Sequence, residues 1–188
     1  AGGAVGAEEA ALWVEAVCMG RWLWDTNFCS ACGSSLEVRL AGWARSCPSC
    51  DREHFPRTDP AIIVAVTSND DQRLLLGQNA MWKDRRMFST FAGFVEAGES
   101  LEGAVLREVE EEAGVRLSGV QYRSSQAWPY PRSLMLGFHA LAHVEADARP
   151  DGEEIIEVRW FTRNEIALAL RGEADFALPG TASIARQL

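Results

Sequence analysis

Apolar and polar residues alternate along this chain in two periods. Leu12, Trp13, Ala16 and Val17 recur at helical spacing within Ala7 to Gly20, which predicts a helix with a face for packing or for a second copy. "DPAIIVAVTSNDDQRLLLGQ" reads as two strands joined by a polar turn at Ser68 to Asp71. "MFSTFAGFVEAGES" reads as a strand running into a Gly-rich loop. Ser100 to Ala113 predicts a helix that Gly114 stops. Further strands are expected near Val120 to Ser125, Leu134 to Ala142 and Ile155 to Phe161. Thr162 and Glu165 form a capping-box signature before "IALAL", and a short last helix is expected near Ser183 to Leu188. Strands and helices are mixed without regular βα alternation. The expected class is therefore α/β of the α+β kind, a mixed sheet flanked by helices.

Composition adds bounds rather than detail. The 188 residues, 47% of them hydrophobic, suffice for one domain, or one with a small satellite, around a real core. A formal net charge of −9 argues against a diffuse basic groove, so any contact with RNA should be local, at a pocket. The longest clean apolar run, Ala61 to Val66, is far short of a membrane span. With no basic-then-apolar leader in view, the expected location is the cytoplasm. The opening "AGGAVGAEEA", without methionine, and the abrupt "SIARQL" end read as those of a fragment.

Two patterns carry chemistry. Cys29 and Cys32, then Cys47 and Cys50, form two Cys-x-x-Cys knuckles separated by fourteen residues, the spacing of a four-thiolate zinc site. Gly33 and Pro48 suit tight turns there. All four positions are filled by protein, so the zinc would be structural. The odd total left by Cys18 argues against disulfides. The second pattern is the run Gly93 to Val115, with seven glutamates and one arginine. At about 100° per residue, Glu108, Glu111 and Glu112 share one face, while Glu110 points elsewhere. Leu101, Val105 and Val109 lie on an apolar stripe beside them, and Arg107 is placed to pair with Glu111. Such a face is either simply solvated or a convergent oxygen-donor site for a hard divalent cation.

The spacing from Gly93 through Glu99 to "REVEEEAGV" matches every fixed position of the Nudix box, G-x5-E-x7-R-E-U-x-E-E-x-G-U. The chain thus resembles Nudix hydrolases. The resemblance implies an α/β/α sandwich and hydrolysis of a nucleoside diphosphate linked to another group. It also implies Mg²⁺ or Mn²⁺ held by Glu108, Glu111 and Glu112, with Gly93 letting the backbone approach the metal. Glu112 is the first candidate for the general base and Glu154 the second.

"SQAWPYPRS", Ser125 to Ser133, is similar to the S-Q-P-W-P-F-P-x-S motif of NADH pyrophosphatases of the NudC type, which also carry a four-cysteine ribbon. "FPRTDPAIIVAV" and "LPGTASIARQL" share the likeness. It implies a helical segment at 1–27 left from a further N-terminal part, a zinc ribbon at 28–55 and the Nudix domain at 56–188. By position, Phe94 would stack on a base, Gln126 and Ser133 would contact the nucleotide, and Trp128 would shape the pocket. Phe55, where some relatives have tyrosine, would stack without the hydroxyl, and the Ala185 backbone would approach adenine. Glu154, with Glu153 as the fallback, would be a further metal ligand. Ala127 and Tyr130 depart from the motif; Ala127 frees an N–H and loosens φ. The implied activity splits NAD(H) into NMN(H) and AMP, or removes an NAD cap from RNA, in a homodimer. An ADP-ribose hydrolase and a non-catalytic nucleotide sensor or RNA-binding module are the competing readings.

Overall fold

The structure, a computed structural model, describes residues 6–188, so positions 1–5 of the expected N-terminal segment lie outside the described residues. The chain forms two compact units, one of the residues up to Asp59 with Ala127–Leu134, the other of Pro60–Gln126 with Met135–Leu188.

The first unit opens with helix α1, Ala7–Asp25, which runs past the expected Gly20 because nothing in "RWLWD" stops it. Glu8 and Glu9 in its first turn suit the positive end of the helix dipole. Strands β1 (Glu37–Arg39), β2 (Ala44–Ser46) and β3 (Glu53–His54) follow as a small antiparallel sheet in that order. Arg45 is buried and links the two parts. It donates to the Leu23 carbonyl and to Asn27 Oδ1, and lies 5.8 Å from the centre of the Trp22 ring. Trp22 is buried, whereas Leu12, Trp13 and Trp24 stand exposed. The 127–134 segment joins this unit through Arg132, whose guanidinium meets Asp59 at 2.8 Å and whose carbonyl accepts the Asp59 N–H at 3.0 Å.

The second unit is a six-stranded sheet. Its strands are β4 (Asp59–Thr67), β5 (Arg73–Asn79), β6 (Phe91–Phe94), β7 (Leu117–Trp128), β8 (Ser133–Ala142) and β9 (Ile155–Thr162). The order is β7-β8-β4-β5-β9, with β6 pairing β4. Helices α2 (Leu101–Ala113), α3 (Arg163–Leu170) and α4 (Ile184–Gln187) complete it. The period-2 geometry of β5 sorts the core into two layers. Leu75 enters a cluster with Ile62, Val64, Val105 and Val109, and so meets α2. Its neighbours Leu74 and Leu76 enter the other cluster, with Phe88, Phe161, Phe176 and Ile166 of α3. The sheet is therefore sandwiched between α2 and α3, the α/β/α arrangement that the Nudix resemblance implies. The predicted capping box at Thr162 is fully formed. Strand β7 is longer than expected and carries Gln126 and Trp128 within its last residues.

Candidate active site and zinc ribbon

The cysteine knuckles are two copies of one turn. Cys29 N–H donates to Ser34 O and Gly33 N–H to Cys29 O; Cys47 N–H donates to Arg52 O and Asp51 N–H to Cys47 O. Gly33 and Asp51 occupy the left-handed position of each, where glycine is at ease and Asp is tolerated. The four sulfurs all lie within 4.8 Å of one another, with Cys32–Cys47 at 3.4 Å and Cys29–Cys50 and Cys32–Cys50 at 3.7 Å. These separations are too long for a disulfide, whose S–S bond is about 2.05 Å. They approach the roughly 3.8 Å edge of a tetrahedron with about 2.3 Å Zn–S bonds. Hydrogen bonding, first from the Ser34 side chain, pulls the Cys32 thiol down to about 6, towards the thiolate a metal requires. The residues fit structural zinc. Stripping the metal with a chelator at neutral pH is expected to unfold the ribbon, read as zinc release together with a red shift of tryptophan emission as Trp22 is uncovered.

The carboxylate site is built around α2. Ser100 caps the helix by accepting the Gly103 N–H at 3.0 Å, and Gly114, at φ 66°, ends it as predicted. Val105 and Val109 are fully buried, which fixes the rotation of the helix and hence the direction of its acidic face. Arg107 then gathers that face. Its guanidinium grips Glu99 at both oxygens, each 2.8 Å away, and donates to Glu108 at 2.8 Å, Glu111 at 3.1 Å and the Phe94 carbonyl at 3.0 Å. Glu99 in turn accepts the Glu96 N–H, and the arginine holds its carboxyl at about 2. Glu110 does face away, pairing loosely with Arg116 at 3.6 Å.

Two side chains are set deeper. Glu108 lies over Gly93, where an added Cβ would stand 2.0 Å from its carboxyl carbon. Glycine is required here by space, not by φ. A Gly93→Ala variant must displace that carboxylate, and a loss of about 100-fold in kcat is expected from misplacement on the order of an ångström; wild-type kcat in the variant would contradict this placement. Glu112 is only 6% exposed. Burial, reinforced by the charges of Glu154, Glu108 and Asp151, lifts its carboxyl to about 8. Glu154 reaches the same neighbourhood from the turn before β9, accepting from Asn79 Nδ2 at 3.2 Å. The carboxylates are spread more widely than the thiolates, since among the described residues only the cysteines bring three or more ligating atoms within 4.8 Å of one another. The donor set is nonetheless of the right chemistry for Mg²⁺ or Mn²⁺: several acidic oxygens on one side of α2, beside a backbone that no side chain obstructs.

The remaining expected site residues fall into two places. Phe94 is exposed at the end of β6. Gln126 and Ala185 belong to the second unit, but both ends of the Gln126 amide are taken by backbone. Its Nε2 donates to Ala182 O at 2.7 Å, and its Oε1 accepts the Ile184 N–H at 2.8 Å. Gln126 thereby holds the segment that carries Ala185. Phe55 belongs to the first unit, and so do Trp128, the last residue of β7, and Ser133, the first of β8, although the rest of both strands lies in the second. There Trp128 meets Tyr130 edge to face at 5.4 Å and Ser133 is buried. Asp151 and Asn79 are the residues near the acidic site that the spacing of the box does not reveal. The Asp-Gly pair at 151–152, a turn signal just ahead of Glu154, is the one hint of them in the sequence.

A sheet between two helices, with an arginine-tethered glutamate helix on one side, defines the class, and the comparisons agree. The NUDIX domain family matches residues 57–179, and the NADH pyrophosphatase zinc ribbon domain matches residues 25–55. The chain belongs to the Nudix hydrolase family. It is 44% identical over 172 residues to the NAD-capped RNA hydrolase NudC of Mycobacterium tuberculosis, covering 88% of this chain and 54% of that protein. The protein of that name from Stutzerimonas stutzeri is 42% identical over 170 residues, covering 90% of this chain and 57% of the relative. The NAD-capped RNA hydrolase NUDT12 of Macaca fascicularis is 39% identical over 191 residues, covering 96% and 41%. The chain spans about half the length of the curated relatives it matches. Among solved structures, a NUDIX hydrolase from Nitrosomonas europaea superposes with a TM-score of 0.54 at 26% identity, covering 81% of this chain and 97% of that one.

Proposed function

We propose that this chain hydrolyses the pyrophosphate of NAD(H) to NMN(H) and AMP, and makes the same cut at an NAD cap to leave a 5′-monophosphate RNA. The observation that carries the reading is the arginine-tethered glutamate helix, with Glu112 buried and Glu108 lying over the bare backbone of Gly93, in a chain with NAD-capped RNA hydrolase relatives. Glu108, Glu111, Glu112 and Glu154 would hold Mg²⁺ or Mn²⁺. Such a cation neutralises phosphate oxygens and lowers the pKa of a bound water.

The protein's own groups do the rest. Arg107 fixes the directions of Glu99, Glu108 and Glu111. Glu112, in the carboxylate form that a bound cation would favour, would accept the proton of the attacking water. One water adds across the P–O–P bridge, which breaks to give the two monophosphates. Phe94 and the Ala185 backbone are proposed to meet the nucleotide. We place the enzyme in the cytoplasm and infer a homodimer; the exposed Leu12, Trp13 and Trp24 of α1 support the latter, being apolar groups that a second copy could cover. Product analysis on NADH, NAD-capped RNA and ADP-ribose at equal concentration, with Mg²⁺, Mn²⁺ or EDTA, tests the reading. Cleavage of NADH to NMNH and AMP that EDTA stops is the expected result; hydrolysis of ADP-ribose alone would replace it.

A further inference from the structure

The turn that carries Glu154 is held more firmly than an exposed loop needs to be. Asp151 accepts the N–H groups of Glu153 at 3.0 Å and Ile155 at 2.9 Å on one carboxylate oxygen, and faces the Glu154 N–H at 3.4 Å with the other. The Gly152 N–H closes the same turn onto Ile155 O at 3.0 Å. From the adjacent strand, Asn79 uses both ends of its amide. Its Oδ1 accepts the Met81 N–H at 2.9 Å, and its Nδ2 donates to Glu154 Oε1 at 3.2 Å. The Glu154 carbonyl accepts the Ala80 N–H at 2.9 Å. Glu154 is thus fixed at its N–H, its carbonyl and its carboxylate, although its surroundings are open to solvent.

We propose that Asp151 and Asn79 are positioning residues that aim the Glu154 carboxylate into the acidic site facing α2, Asp151 by capping the 151–155 turn and Asn79 by orienting the carboxylate. The inference rests on the metal-dependent reading above. Neither residue belongs to the box or to the tryptophan-containing motif; each acts through Glu154. An acid already occupied by two or three N–H donors is a poor first ligand, and an amide that donates to a carboxylate oxygen fixes which of its lone pairs remain free. Outer-sphere partners of this kind typically affect metal affinity by about 10–100-fold.

The test is Mn²⁺ binding to the whole chain, followed by the electron paramagnetic resonance signal of free Mn²⁺, with NADH kinetics beside it. Four variants are compared: Asp151→Ala, Asn79→Asp, Glu154→Gln, and the double variant Asp151→Ala with Glu154→Gln. Asn79→Asp keeps the acceptor for Met81 but turns the contact with Glu154 into a repulsion. It therefore tests the inference even if Asp151→Ala loosens the loop. Each single variant is expected to weaken Mn²⁺ binding by about 10-fold and to lower kcat at subsaturating metal, with KM for NADH changed less than about 2-fold. The double variant should bind Mn²⁺ no more weakly than Glu154→Gln alone, because the effect of Asp151 passes through the missing carboxylate. Additive losses in the double variant, or unchanged Mn²⁺ affinity in Asp151→Ala and Asn79→Asp, overturn the inference while leaving the functional reading standing. Wild-type protein that binds no Mn²⁺ would overturn both.

Discussion

Glu112→Gln is expected to lower kcat for NADH by at least about 1,000-fold, the scale of a lost proton acceptor and metal ligand together, while the fold survives. The same change should stabilise the protein in EDTA, and the sign follows from linkage. Glu112 titrates near 4.5 when unfolded and at about 8 when folded. Below the lower value both states hold the proton, and the group contributes its full share to stability. Between the two values only the folded state holds it, so that contribution is lost as pH rises through about 8. Glutamine cannot ionise. The variant should therefore match wild type near pH 4.5 and exceed it at pH 8.5 by on the order of 2–4 kcal/mol, read from denaturant melts at the two pH values. A variant that is active, or one that is less stable than wild type at high pH, would remove Glu112 from the centre of the site. In wild type the acidic limb of kcat/KM should move to lower pH as Mn²⁺ is raised, since a nearby cation favours the carboxylate.

Arg107→Lys should be nearly as damaging to activity, although the charge is kept. The guanidinium serves three carboxylates and one carbonyl from a planar fork, and an ammonium on a flexible stem cannot reproduce the two-point grip on Glu99. We expect about a 100-fold fall in kcat and a lower melting temperature. The acid limit of stability should shift as well. Glu99, held at about 2 by this contact, contributes stability that is present above its unfolded value and is lost as pH falls through about 2. In the lysine variant that loss should be smaller and complete at higher pH, because the folded value lies closer to the unfolded one. Thermal melts between pH 2 and 5 would show it, and coincident curves for the two proteins would refute the tether.

Much of this was legible from residue order alone. The helix from Leu101 to Ala113 and its caps, the hairpin around Ser68–Asp71 and the capping box at Thr162 are local features, decided by side chains a few positions apart. The four cysteines belong with them, because two tight knuckles bring their own ligands together. The depth of Glu112 was not legible. Helical periodicity puts Glu108, Glu111 and Glu112 on one face, but only the packing of that face decides that Glu112 is enclosed while Glu111 remains open. Gln126 shows the same limit. Its motif marks it as a nucleotide contact, whereas its amide is spent on the backbone of Ala182 and Ile184, residues far away in sequence. Asn79 escapes notice for a similar reason, since its partner Glu154 is 75 positions away, while Asp151 shows only as a turn signal.

The sorting of Leu75 to one layer and Leu74 and Leu76 to the other also bears on how the chain can vary in length. A residue added inside β5 would exchange the residues beyond it between the two floors of the molecule, sending Gln78 to the α2 side. The bend at Ser68–Asp71 has no such parity to keep, so a longer turn gives up the Ser68–Asp70 and Arg163–Asp71 contacts but moves no core residue to the other face. Tags, labels or natural insertions therefore belong at that bend, on the side of the sheet-end where no alternating stack has to be kept in step.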